Sequence, residues 1–206
     1  MSGERFIGMP VVVTNTAGRK TGVWARELVR AQLECIGEDP DREGLRETPD
    51  RVVRAWGEWF AGYAQDPVEV LKTFEDGAEL CGDELVVVES IDVYSFCEHH
   101  MAPFFGKAWV GYIPDGRVVG LSKFARLVDV FARRLQVQER LTNQIANTID
   151  EVLSPKGVGV VIRCTHFCMC SRGVNKQGST TTTSALRGAL REKPEARAEF
   201  MGMVLR

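Results

Sequence analysis

All three histidines of the chain fall in two short cysteine-bearing stretches, Cys97-Glu98-His99-His100 and Cys164-Thr165-His166-Phe167-Cys168-Met169-Cys170. Thiolate and imidazole are the donors a zinc ion prefers, and three protein ligands plus water is the form in which zinc does chemistry rather than architecture. Cys97 and His100, three apart at a strand end, need a further ligand from elsewhere, so the fold has to carry the later stretch to the earlier one.

The remaining composition narrows the setting. At 206 residues, 44% hydrophobic and 26% charged, the chain suits one sizeable core with a smaller appendage. A formal net charge of -2 gives no basic field of the kind that holds nucleic acid or an anionic membrane, so an anionic substrate must meet a local cluster of cations. No apolar run approaches the roughly 18 residues that cross a bilayer, and the first twenty residues lack a signal-peptide pattern; a cytoplasmic location is expected. Six cysteines in that setting point to reduced thiols and metal ligation rather than disulfides, with Cys35 and Cys81 as core or surface thiols.

Apolar spacing divides the chain. Residues 1–20 show no sustained period and read as an arm. Trp24, Leu28, Ala31 and Cys35, with Val29, Leu33 and Ile36 beside them, predict a helix ending near Gly37. Thr48-Pro49 predicts a capped helix start running to about Tyr63, with Arg51 and Arg54 on one face; a solvated basic face is the plain reading of that pair. A short helix is expected over Pro67 to Asp76. From residue 83 the texture turns β-branched: strands over Glu84 to Phe96 and Phe104 to Ile113, helices over Ser122 to Arg134 and Gln136 to Leu153, then strands over Gly157 to Cys170 and Thr180 to Leu190, and a short helix from Pro194. The expected architecture is α+β: an N-terminal helical lobe over residues 21–82 and an antiparallel-sheet domain over 83–206.

If Gly157 to Cys170 is one strand, side chains alternate so that Cys164, His166, Cys168 and Cys170 share a face as candidate ligands, with Phe167 and Met169 turned to a core. Spacing does not choose among them. A closed four-ligand structural site is one outcome, but two adjacent histidines and a third beside a cysteine exceed what such a site uses, and spare imidazoles are natural proton carriers. Ser122 is expected to cap its helix, placing Lys123 and Arg126 near the N-terminal end where cations are unfavourable unless an anion binds; Arg172 adds another cation. Gln138-Glu139 opens the next helix, where a carboxylate either complements the dipole or accepts from the N1–H and exocyclic amine of guanine.

Taken together, Cys97-Glu98-His99-His100, Gly120-Leu121-Ser122-Lys123 with Arg126, Arg134 to Leu141 (RLQVQERL), and His166-Phe167-Cys168 with Arg172-Gly173 resemble the GTP cyclohydrolase I family over about residues 21–188. The resemblance implies a tunnelling fold with a four-stranded antiparallel sheet and two packed helices per subunit, assembled as a homodecamer with active sites between subunits. It implies Zn2+ on Cys97, His100 and Cys168, catalytic His99 and His166, and triphosphate binding by Ser122, Lys123, Arg126, Arg172, Arg51 and Arg54, the last at a position where Lys also occurs. Gln138 and Glu139 match the guanine-recognising pair. The implied reaction is hydrolytic opening of the guanine ring of GTP at C8, loss of formate, and reclosure to 7,8-dihydroneopterin triphosphate. A zinc-free nitrile reductase of the same fold and a zinc-stabilised GTP-binding regulatory module are the alternatives. Cys164 and Cys170 depart from the family's metal motif.

Overall fold

The computed structural model describes residues 22–71, 73–74, 82 and 84–204. Residues 1–21, 75–80 and Cys81, on which several sequence expectations fall, lie outside this set. The chain divides into two compact units, Met1–Ala64 and Gln65–Arg206.

In the first unit, α1 (Gly22–Cys35) and α2 (Thr48–Trp59) pack through Ala25, Val29 and Val53, with Val52 and Trp56 at the margin. The buried stripe on α1 is thus displaced from part of the expected one: Trp24 and Leu28 stay 49% and 52% exposed. Thr48 does not cap α2. Glu47 occupies the N-cap with helical backbone angles and makes no side-chain cap, while Pro49 sits in the first turn as expected. The helix also stops early, at Trp59, and a 3-10 turn over Ala61–Ala64 replaces its last residues.

In the second unit, a helical turn, α3 (Pro67–Val70), is capped by the Asp66 carboxylate, which accepts from Val68 N–H at 2.9 Å. The expected helix does not continue to Asp76: Thr73–Phe74 form strand β1, paired antiparallel with β4 (Val118–Val119). The main sheet contains β2 (Val86–Cys97), β3 (Pro103–Ile113), β5 (Leu135–Gln136), β6 (Gly157–His166) and β7 (Thr181–Gly188) in the order β5-β2-β3-β6-β7. Four long antiparallel strands were expected. The structure adds β5, a two-residue parallel partner of β2, where Gln136, expected to open a helix, instead joins Leu135 in pairing with Phe96 and Cys97.

Two helices, α4 (Ser122–Ala132) and α5 (Gln138–Leu153), cover one face of this sheet, α4 against β2 and α5 against β6 and β7. Phe124, Leu127, Val128, Leu141, Ile145 and Ile149 meet Val93, Val110, Val160 and Ile162 in the main core. The pleat selects these strand residues. A bulge between Val88 and Ile91, with Ser90 at φ 56, resets β2 so that Ile91, Val93, Ser95 and Cys97 all turn inward. The opposite sheet face is covered at one end by α8 (Pro194–Val204), which follows the short α7 (Ala189–Glu192). Phe200 of α8 seats on glycine: a Cβ at Gly159 would lie 2.6 Å from its ring.

The largest departure concerns the end of β6. The strand stops at His166, paired with Phe104 near the start of β3, while its pairing with β7 already ends at Cys164. Beyond that point neither neighbour offers backbone partners, and residues Phe167–Cys170 coil into a helical turn, α6, closed by Ser171 N–H donating to Phe167 O at 2.9 Å. The expected row of four ligands on one strand face therefore does not exist.

Candidate metal centre

Cys97 ends β2 on its inward face and is buried. The chain then reverses: Cys97 N–H donates to Ala102 O, and Met101 N–H to Cys97 O, each at 2.8 Å. Met101 takes the left-handed conformation, φ 52, that this tight return requires. The return brings both histidine rings back over the thiol, with Cys97 Sγ 3.7 Å from His99 Nδ1 and 3.9 Å from His100 Nδ1. A brace from the helical layer holds this turn. Glu98 N–H donates to Gln136 O at 3.1 Å, the Glu98 carboxylate pairs with Arg140, and Arg140 Nε donates to Gln136 Oε1 at 3.1 Å. The Arg140 hydrogen bond holds the Glu98 carboxyl below its ordinary range.

Cys168 arrives from the other side, on α6. Its thiol and a ligand atom each of Cys97 and His100 lie within 4.8 Å of one another, and this is the metal-type cluster among the described residues. A tetrahedral zinc with ordinary bond lengths needs about 3.8 Å between two sulfurs and about 3.6 Å between sulfur and nitrogen, so the three donors fit around such an ion with little movement. Burial, then the Cys97 sulfur and the hydrogen bond to it, push the Cys168 thiol up. A divalent cation held by these thiols would reverse that balance, because it would favour both thiolates.

The other two cysteines of this stretch face elsewhere. Cys164 points into the core, 1% exposed, and burial pushes its thiol up to about 12. Cys170 is turned toward the following loop, where its thiol donates to Lys176 O at 3.4 Å. Phe167, expected in a core, is 40% exposed and tilts against Phe105 at 5.8 Å between ring centroids.

His166 lies flat on buried Phe104, with ring centroids 4.5 Å apart and planes 11° from parallel. Its Nε2 is 2.7 Å from Gln138 Oε1. Desolvation lowers its pKa, with the nearby Glu139 carboxylate acting weakly in the other direction. The Gln138 side chain is 1% exposed, and its Nε2 lies 3.0 Å from each of Ile162 O, Thr181 O and Thr183 Oγ1. That amide has no free edge for a guanine. Glu139, next along α5, is exposed and does.

Among the cations, Arg172 Nη1 sits 3.2 Å from His100 Nε2, at the rim of the cluster. Ser122 is the first residue of α4 rather than its cap, because the helical conformation already includes Leu121 and Lys123 N–H donates to Gly120 O at 2.8 Å. Lys123 and Arg126 remain in and just past a first turn with no acidic residue. Among the described residues no hydrogen bond or ion pair ties Ser122, Lys123 or Arg126 to the cysteine and histidine cluster. Arg51 and Arg54 belong to the other unit, Arg51 paired with Glu47 at 2.6 Å and Arg54 exposed. Sequence reasoning passed over Phe104, Gln136, Arg140, Thr142 and Thr183, which hold the site from behind. None carried a local signal: even Phe104 meets His166 only through the pairing of β3 with β6, strands far apart in the chain.

A model of the GTP cyclohydrolase I family matches residues 25–205. The chain belongs to this family. Its relatives include the GTP cyclohydrolase 1 of Janthinobacterium sp. (strain Marseille), 60% identical over 187 residues, 91% of this chain and 94% of that protein. The GTP cyclohydrolase 1 of Nitrosospira multiformis is 58% identical over 171 residues, 83% of this chain and 89% of that one, and that of Wolinella succinogenes is 57% identical over 179 residues, 86% and 94%. Every candidate site residue from Arg51 to Arg172 lies inside the span matched by the GTP cyclohydrolase I model. No helix among the described residues is long and apolar enough to cross a membrane.

Proposed function

We propose that the chain hydrolyses the guanine ring of GTP at C8, releases formate and recloses the remnant to 7,8-dihydroneopterin triphosphate, a cyclic-amidine hydrolase at the head of pterin synthesis. The observation that carries this reading is the meeting of Cys97, His100 and Cys168, with His99 against the Cys97 thiol and His166 at the strand end that leads into Cys168, in a chain of this family. Three donors leave the fourth corner of a zinc ion for solvent. Bound there, zinc supplies a water made acidic enough, with a pKa near about 7, to attack an electrophilic carbon at neutral pH.

The chain's own groups do the rest. His166 and His99 carry protons between water and the purine, whose N7 must be protonated before C8 accepts a nucleophile. Glu139 accepts from the N1–H and exocyclic amine, an edge that adenine does not present. Lys123, Arg126, Arg172, Arg51 and Arg54, with the Ser122 hydroxyl, hold the triphosphate. Since Lys123 and Arg126 make no tie to the cluster within one chain, the reading includes a homodecamer with active sites between subunits, in which the long strands of each subunit join a common tunnelling-fold barrel. Residues 83–206 form the catalytic domain, residues 21–82 a helical lobe and residues 1–20 an arm, in a cytoplasmic enzyme.

The test is incubation of the zinc-loaded chain with GTP, measuring formate and the fluorescent pterin formed on oxidation. One equivalent of each per GTP consumed is expected. Binding of GTP without formate would instead make the chain a nucleotide-binding module.

A further inference from the structure

His166 contacts Gln138 through a hydrogen bond whose direction cannot be seen from heavy atoms alone. The surroundings determine it. Ile162 O and Thr181 O are backbone carbonyls and accept only, so the Gln138 atom 3.0 Å from both has to be the donating nitrogen. Reversing the amide would press its oxygen against two carbonyl oxygens in a site that is 1% exposed.

The hydroxyls agree. Thr142 Oγ1 donates to the Gln138 backbone carbonyl at 2.7 Å, which uses its proton, so in the 2.6 Å contact between the two threonines Thr183 is the donor. Thr183 Oγ1 therefore has only lone pairs left for Gln138 Nε2, 3.0 Å away. Every proton in the ladder now has a direction, and Gln138 Oε1 is left to accept from His166 Nε2 at 2.7 Å.

From this we propose that Gln138 is a positioning residue that locks His166 as its Nε2–H tautomer, making Nδ1 the nitrogen that exchanges protons with substrate and water. This rests on the function proposed above and deepens it. In the step concerned, with N7 already protonated, a water O–H bond breaks as its proton forms an Nδ1–H bond, the oxygen's electron pair forms the bond to C8, and the C8–N7 π pair moves onto N7. That bond then breaks as the proton passes to a purine nitrogen. The Nε2–H bond to Gln138 is untouched throughout, and Phe104, stacked on the ring, keeps its plane fixed while charge comes and goes.

Because the chain has three histidines, nitrogen spectra of [15N]histidine-labelled, zinc-loaded protein under magic-angle spinning give three ring systems. His166, assigned by its loss in His166→Asn, is expected to show a protonated Nε2 and a bare Nδ1; a protonated Nδ1 in the resting protein overturns the proposal, whatever the variants do. Gln138→Met, close in length but with no acceptor, is expected to mix the tautomers and lower kcat about 10- to 100-fold with KM for GTP within about threefold. A raised KM at unchanged kcat in Gln138→Met would return Gln138 to reading the guanine. Absence of formate from the wild-type chain would remove the functional reading and leave the tautomer result standing.

Discussion

The two segments that meet at the candidate metal centre are built by different means. The Cys97 turn is closed by its own backbone, with both ends of the reversal hydrogen-bonded and the adjacent Glu98 tied to β5 and α5. The later segment keeps a strand partner only at His166, opposite Phe104; residues 167–170 have none and curl on themselves, and the His166 ring is placed by what packs behind it, the Phe104 ring and the Gln138 ladder. The first segment is therefore specified locally, while the second is specified by residues distant in sequence. Residues near the start of α5 serve both, since Gln136 and Arg140 brace one segment and Gln138 the other. A disturbance there should reach the metal from two sides, whereas a disturbance in either segment should remain on its own side.

Substitutions can break this picture in decreasing order of effect. Cys168→Ala should abolish tight metal binding and lower turnover by at least about a thousandfold, since a catalytic zinc supplies several kcal/mol of barrier lowering. Metal analysis alongside formate release checks it, and an active, zinc-replete variant would hand the ligand position to Cys170. His166→Asn should cut kcat by about 100- to 10,000-fold while leaving zinc and GTP bound, the signature of a lost proton carrier. A proportionate loss of metal would mean that the segment depends on the imidazole for its shape.

Smaller effects discriminate more finely. Glu139→Gln should raise KM for GTP about 10- to 100-fold, the cost of a charged hydrogen bond, and reduce the preference over ATP; unchanged selectivity in competition assays would take Glu139 off the guanine. Glu98→Gln should weaken zinc about tenfold in chelator competition, as loss of an outer support does, with the His166 spectrum unchanged. Burial lowers the His166 pKa below its unfolded value of about 6.5. Stability from this group is therefore complete above that value and is lost progressively as pH falls from it toward the lowered folded value. Denaturant titration of the metal-stripped chain should show this slope below about pH 6.5, and His166→Asn should flatten it.

How far the sequence could be read follows the same division. The helices of the sheet unit and its long strands were legible because their apolar periods match the faces they bury: Phe124, Leu127, Val128 and Phe131 on α4, and Leu141, Ile145 and Ile149 on α5, are all buried. Cys97 and His100 were legible as a pair because a turn of three residues is a local matter. Alternation misled at residues 167–170, where strand-like composition lost to the absence of neighbouring strands, a fact of register that no window of sequence contains. The same holds for Gln136, drawn with Leu135 out of a helical pattern by the edge of β2. Ser122 and Thr48 look like caps by type, yet each follows a residue already in helical conformation. Gln138 was matched to a guanine-recognising position through the family resemblance, and only the converging carbonyls of β6 and β7 show its amide turned inward.

The account stands on the coordination of one ion, and zinc K-edge X-ray absorption of the metal-loaded chain tests it most directly. Two sulfur scatterers and two light ones, with one light scatterer exchangeable with solvent, are predicted. A first shell of three or four sulfurs, or one closed entirely by side chains, would contradict it.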